Sequence, residues 1–360
     1  MSAFQAKIVG DFCNIRCSYC RNRDFEQGVK SVMSIEKLER LFVFLNSQPQ
    51  KKLHVNWHGG EPLLAGKDFF NKIVELEKLY PDKLWSNVVQ TNAILIDSGW
   101  AKFFSKNHFH VGVSVDGSEK IHNHDRVGAT GKGTYQKVMR GVNMLRSYGI
   151  HPGTICTVTK KSVGFGKEMF LGLVNAGFKS IAFNAFHNTA SESIGDLYGL
   201  SDKEWLTFLI EIFEEWVTLN DPTVRVRELD SMLAWIKSKS ANCCVYRGTC
   251  HQWFAVDDIG DIYPCERLGK EIYFGNIDSI KTVEGLSTNP VYLKWKDSIV
   301  ILHPKCQSCN LQSLCHNGCV SHRKSDNGDA PLYVYCESRL GFYNYLQSKL
   351  TETEKEKGHE

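Results

Sequence analysis

Cys13-Asn-Ile-Arg-Cys17-Ser-Tyr-Cys20 is the stretch on which the reading of this chain turns. It follows an apolar run, Ala6–Gly10, that reads as a strand. Three thiolates spaced C-x3-C-x2-C on one loop can ligate three corners of a cubane iron–sulfur cluster and leave one iron open. A fourth cysteine would close the cluster for electron transfer, whereas three leave a position for a substrate or cofactor. A zinc loop short of one ligand is the plainer alternative.

Outward from this loop, short β-rich runs alternate with longer amphipathic stretches. Strands are expected at Ala6–Gly10, Leu53–Trp57, Asn87–Thr91, Phe109–Val115, Thr154–Val158 and Ser180–Phe186. Most show apolar runs without strict alternation, as buried parallel strands do. Helices are expected at Ser34–Leu45, Lys67–Leu79, Asp97–Ser105, Thr134–Tyr148, Gly166–Ala176 and Ser201–Leu219, with Ser34, Asp97, Thr134 and Ser201 as caps. Six βα units in succession predict an α/β fold, a partial (β/α)6 barrel or an open parallel sheet. In either architecture ligands bind at the loops after the strand C-termini.

From about Asp221 the character changes. A helix near Glu228–Lys237 leads into hairpins, turns and cysteines, and a last helix closes near Glu337–Leu350. The expected organisation is a barrel over 1–225, a small cysteine-rich iron–sulfur domain over 226–345 and a disordered tail over 346–360.

The 360 residues carry a formal charge of +3, which argues for neither nucleic acid nor an anionic membrane as partner. No signal-peptide pattern opens the chain and no apolar run is long enough to span a bilayer. A reducing, cytoplasmic setting is therefore expected, and there 13 cysteines point to metal rather than disulfides. Three lie at 13–20, one at 156, and nine crowd into 243–336.

The three-cysteine loop, with Tyr19 just before its third thiol, resembles the signature of the radical S-adenosylmethionine (SAM) superfamily. His58-Gly59-Gly60-Glu61-Pro62, one strand later, resembles that family's glycine-rich segment. The resemblance implies that the open iron binds the amino and carboxylate groups of SAM, whose reductive cleavage yields a hydrogen-abstracting 5′-deoxyadenosyl radical. It further implies SAM contacts from Tyr19, Gly59, Gly60, Glu61, Asn92, Ser114 and Asp116, with Arg126 as partner of the SAM carboxylate. Glu61 is expected to accept from the SAM ammonium.

A second field of cysteines runs through Cys244, Cys250-x9-Gly260-x4-Cys265, Cys306-x2-Cys309-x5-Cys315-x3-Cys319 and Cys336. It resembles the SPASM extension carried by a subset of radical SAM enzymes. The resemblance implies two auxiliary [4Fe–4S] clusters, one on Cys244, Cys250, Cys265 and Cys319, the other on Cys306, Cys309, Cys315 and Cys336. With the cluster of Cys13, Cys17 and Cys20 that makes three. Zinc is the competing occupant of the C-x2-C pairs. Cys243 is left over as a bystander or alternative ligand, and Cys156 as a small buried hydrophobe.

Order and spacing are similar to the anaerobic sulfatase-maturating enzymes and to the peptide-modifying enzymes of ribosomal natural-product pathways. Both act on a residue within a polypeptide, and both imply an external one-electron donor such as flavodoxin or ferredoxin. The former have Asp directly after the cysteine equivalent to Cys265 as the base for the substrate, and here that residue is Glu266. Their aromatic after the third cysteine is replaced by Arg21. These departures favour peptide modification, most simply a crosslink, with Glu266 as base. Formylglycine formation from Cys or Ser is the second reading, and a non-catalytic iron–sulfur carrier the third. With the cysteine loop beginning at Cys13, no leader-binding domain is expected ahead of it.

Overall fold

Alternation along Lys52–His58 shows how the fold is built. Leu53, Val55 and Trp57 are fully buried, while His54, Asn56 and His58 point to the opposite face. A strand with one apolar and one polar face covers helices on one side and a polar interior on the other. Here the sequence expectation of runs without alternation gives way, because the inner wall of the sheet is hydrophilic.

The structure is a computed structural model that describes residues 3–20, 31–187, 195, 197–238, 241, 243–325 and 330–357. It divides into two units, Met1–Val115 with His122–Thr154 and Thr249–Ile299, and Asp116–Ile121 with Ile155–Gly248 and Val300–Glu360.

In the first unit, strands Trp253–Asp257, Ala3–Lys7, Lys52–His58, Leu84–Thr91 and His110–Ser114 pair in that order, all parallel. Helices Ile35–Asn46, Lys67–Lys78, Ser98–Lys106 and Tyr135–Ser147 follow the pattern read from sequence to within about a residue. Phe42 and Phe44 of the first of these helices, and Phe70 and Phe104 of the next two, are fully buried. Ser34 and Asp97 cap as expected, accepting from Lys37 N at 3.1 Å and Trp100 N at 2.8 Å. Thr134 does not. Its hydroxyl donates instead to the Arg126 carbonyl at 2.8 Å.

Residues 226–345, expected as one small domain, fall in both units. Residues 249–299 belong to the first unit because Trp253–Asp257 hydrogen-bonds in parallel with Ala3–Lys7. The strand turns at Gly260 and returns antiparallel as Asp261–Tyr263. Gly260 sits at φ +89°, and a Cβ there would meet Lys37 and Ile277 within 3 Å. The C-x9-G-x4-C spacing is therefore a hairpin, with Cys250 before it and Cys265 after it at one end.

In the second unit, Ser180–Ala185 pairs in parallel with Arg225–Val226. Helices Asp202–Leu219 and Cys336–Lys357 pack through Phe213 against Phe342, ring centroids 6.2 Å apart. The Asp202 carboxylate accepts from the backbone N–H groups of Glu337 and Ser338 at 2.8 and 2.7 Å, closing the start of the last helix. That helix runs to Lys357, so most of the stretch read as a disordered tail from 346 continues it. Together these elements are the mostly parallel α/β architecture of a partial barrel with a cysteine-rich C-terminal region.

Candidate functional site

The pocket of the first unit opens at the C-terminal ends of its parallel strands. Cys13, Cys17 and Cys20 line it with Tyr19, Gly59, Gly60, Asn92, Ser114, Arg126 and Glu266. Residues as far apart as Cys13 and Glu266 meet because His58, Gln90 and Ser114 lie at or next to the ends of three adjacent strands.

The cysteine loop is held from two sides. Ile15–Cys17 forms an antiparallel ribbon with Arg126–Gly128, in which Cys17 is level with Arg126. The Arg126 guanidinium then lies 3.8 Å from Cys17 Sγ and 5.5 Å from the Tyr19 ring centroid. From the other side, Gly60 N donates to Gly10 O and Glu61 N to Phe12 O, both at 2.9 Å. A Cβ on Gly60 would stand 2.1 Å from the Phe12 carbonyl oxygen. Gly60 thus admits the backbone of the cysteine loop, a nearer partner than the ligand contact read from sequence.

Glu61 has a task within the protein. Its residue is fully buried, and its carboxylate accepts from Leu63 N at 3.1 Å, Thr91 Oγ1 at 2.7 Å and Asn92 N at 2.8 Å. Burial raises its pKa to about 7, and the three donors oppose that rise. It ties the glycine-rich segment to the end of Leu84–Thr91 rather than lining the pocket. Asn92 passes the constraint on, donating through Nδ2 to Asn14 Oδ1 at 2.7 Å. Ser114 accepts from Gln90 Nε2 at 3.0 Å. Asp116 belongs to the second unit, where it accepts from Thr157 N at 2.8 Å.

Burial pushes the Cys13 thiol up to about 12. Glu266, directly after Cys265, reaches the same pocket, and its Oε2 lies 3.3 Å from His58 Nδ1. His58 was legible only as the start of the glycine-rich motif; its pairing with Glu266 needs the hairpin at Gly260. Arg21 lies outside the described residues.

In the second unit, Cys306 and Cys336 both have pKa values raised by burial and then by neighbouring thiols, Cys315 and Cys309 for the first, Cys315 and Cys306 for the second. Cys306 thus lies near Cys309 and Cys315, and Cys336 near Cys306 and Cys315. Among the described residues no three His, Cys, Asp or Glu side chains converge tightly enough to hold a single metal ion. Cys156 is fully buried in Gly153–Val158.

Residues 7–168 match the model of the radical SAM superfamily. A cysteine-type anaerobic sulfatase-maturating enzyme of Clostridium perfringens is 32% identical, over 94% of each chain. A serine-type anaerobic sulfatase-maturating enzyme of Bacteroides thetaiotaomicron is 28% identical, over 95% of this chain and 87% of its own. The solved structure of native anSMEcpe with bound AdoMet and Cp18Cys peptide matches with a TM-score of 0.86 at 29% identity, over 98% of both chains.

Three thiols at the strand ends of a parallel partial barrel, together with these relatives, define a radical SAM enzyme. Within that superfamily the chain belongs to the family of the anaerobic sulfatase-maturating enzymes. The likeness moves the weight from peptide crosslinking to sulfatase maturation. One carboxylate exchanged for another next to Cys265 was too local a feature to outweigh a pattern carried over the whole chain.

Proposed function

We propose that this enzyme oxidises a Cys or Ser side chain of a sulfatase polypeptide to formylglycine. The observation that carries the reading is Glu266: its carboxylate faces the same pocket as Cys13, Cys17, Cys20 and Arg126. That is where a base must stand if proton removal and hydrogen abstraction are to act on one side chain. The higher identity to a cysteine-type than to a serine-type relative makes a cysteine the first substrate to test.

The donor set fits the cofactors of the family. Three thiols on one loop would hold a [4Fe–4S] cluster through three irons, and Arg126, at the pocket wall, would take the carboxylate of SAM. When bound, cluster and SAM supply one-electron cleavage and hydrogen abstraction. The chain's own residues do the rest. Glu61 and Gly60 lock the glycine-rich segment onto the cysteine loop, which fixes the pocket before a ligand enters. Asn92 holds Asn14 and so the loop's first turn. Glu266 takes the proton of the substrate thiol or hydroxyl, with His58 beside its carboxylate.

Cys244, Cys250, Cys265 and Cys319, and Cys306, Cys309, Cys315 and Cys336, are proposed to hold two auxiliary clusters that accept the remaining electron. The nearness of Cys306 to Cys309 and Cys315, and of Cys336 to Cys306 and Cys315, supports the second set. An external donor such as flavodoxin or ferredoxin and a cytoplasmic site of action complete the reading.

The test is anaerobic incubation of the reconstituted enzyme with SAM, a reductant and a peptide spanning the Cys of a sulfatase motif. Mass spectrometry should show loss of sulfur and a new carbonyl that a hydrazine traps, with matching 5′-deoxyadenosine. A product that keeps its sulfur in a new thioether bond would instead return the enzyme to peptide crosslinking.

A further inference from the structure

Arg339 is a buried cation in the first turns of the last helix, only 5% exposed. Its guanidinium is held between two aromatic faces, 4.3 Å from the Tyr246 ring centroid and 4.5 Å from that of Tyr333. Nη1 donates to Val245 O at 3.0 Å and to Cys315 Sγ at 3.2 Å. Its hydrogen-bond partners are thus a carbonyl and a sulfur, with no carboxylate between them.

An arginine taken out of water needs a counter-charge, since desolvation without one is among the costliest events in folding. Aromatic faces supply part of the attraction. A neutral thiol is a weak acceptor, and an ionised sulfur is a strong one. Cys315 is also the residue whose field is felt by both Cys306 and Cys336. The Cys315 sulfur is the group this guanidinium meets, and ligation to a cluster would make that sulfur the anion.

We infer that Arg339 is a positioning residue for the outer iron–sulfur cluster: it fixes the Cys315 sulfur by a charge-assisted N–H···S bond and raises the cluster's reduction potential. The inference rests on the three-cluster reading. Reduction adds negative charge to the cluster, and a fixed cation with a hydrogen bond to a ligand sulfur favours the reduced form. The two tyrosine faces cover the guanidinium, which is 5% exposed, so water screens its charge little.

The test uses the full chain, reconstituted anaerobically, with iron counted and each cluster's midpoint followed by electron paramagnetic resonance during a redox titration. The outer cluster's signal is the one lost in Cys309→Ala. Arg339→Met should keep wild-type iron and lower that midpoint by about 59 mV or more, a tenfold change in a one-electron equilibrium. Arg339→Lys, which keeps charge but loses the fork, should fall between. Should the Met variant lose iron, the Lys variant decides: a lowered midpoint supports the role, and an unchanged one overturns it. Unaltered midpoints in an iron-replete Met variant also overturn it. Wild-type protein with about four irons instead of about twelve would overturn the cluster reading itself.

Discussion

Arg126 and Arg339 each donate to a cysteine sulfur, and their enclosures differ. Arg126 stands 3.8 Å from Cys17 Sγ, rests against one tyrosine ring and lines an open pocket. Arg339 stands 3.2 Å from Cys315 Sγ and is gripped between two rings. Both are nearly buried, at 8% and 5% exposure. A cation at the wall of a cavity can recognise an incoming carboxylate, and Arg is suited to that by its planar fork. A cation sealed beside a sulfur can only hold and tune what is already there. On the roles proposed above, the same residue pair would serve ligand capture in one setting and redox adjustment in the other.

The comparison breaks most sharply at the cysteines themselves. Replacing Cys13, Cys17 and Cys20 together with Ala should reduce 5′-deoxyadenosine to background while about eight irons remain, the complement of two four-iron clusters. Chromatography of the nucleoside and an iron assay read both halves of that outcome. Retained cleavage would remove the distinction between the two cysteine regions. Next in size is Glu266→Gln, which should lower product formation by about 10²–10⁴-fold, the range for losing a general base. SAM cleavage should continue in that variant, uncoupled from product, and Glu266→Asp should restore part of the yield.

Arg126→Met sharpens the comparison further. It should weaken SAM binding by about tenfold to a hundredfold, or about 1.4–2.8 kcal/mol, as measured by anaerobic calorimetry. Arg339→Met should leave SAM affinity unchanged. Equal losses in both variants would mean that enclosure does not separate their roles.

Much of this was legible from residues alone, and the limit has a physical cause. Helix boundaries followed amphipathic spacing and caps, which are local, so Ser34 and Asp97 read correctly. Thr134 did not, because its hydroxyl is taken by a carbonyl eight residues earlier. The cysteine spacings announced the chemistry, yet the hairpin at Gly260 that brings Trp253–Asp257 into the main sheet is a long-range pairing without a local mark. The meeting of His58 with Glu266, and of Arg126 with Cys17, depends on strand register in the same way. Arg339 carried no motif at all. Only its burial with a carbonyl and a sulfur as hydrogen-bond partners gives it away.

The smallest effect expected is a change of slope at the glycine-rich segment, the anchor of the open region. Burial raises the Glu61 pKa from an ordinary 4.5 to about 7, so the folded chain holds a proton that the unfolded chain releases between those values. Across that window the folded state binds more protons, and stability must fall as pH rises. The slope is at most about 1.4 kcal/mol per pH unit for one group. Glu61→Gln cannot titrate, so its stability should lack this component, seen as a flatter difference curve in urea unfolding from pH 4.5 to 7. The amide can still accept through one oxygen but places its NH₂ against the donors Thr91 Oγ1 and Leu63 N or Asn92 N, so the variant should be less stable than wild type at pH 7 wherever the hydrogen bonds outweigh desolvation. A wild-type slope that survives the substitution would assign the proton to another group and leave Glu61 ionised in the folded protein, its three donors having won over burial.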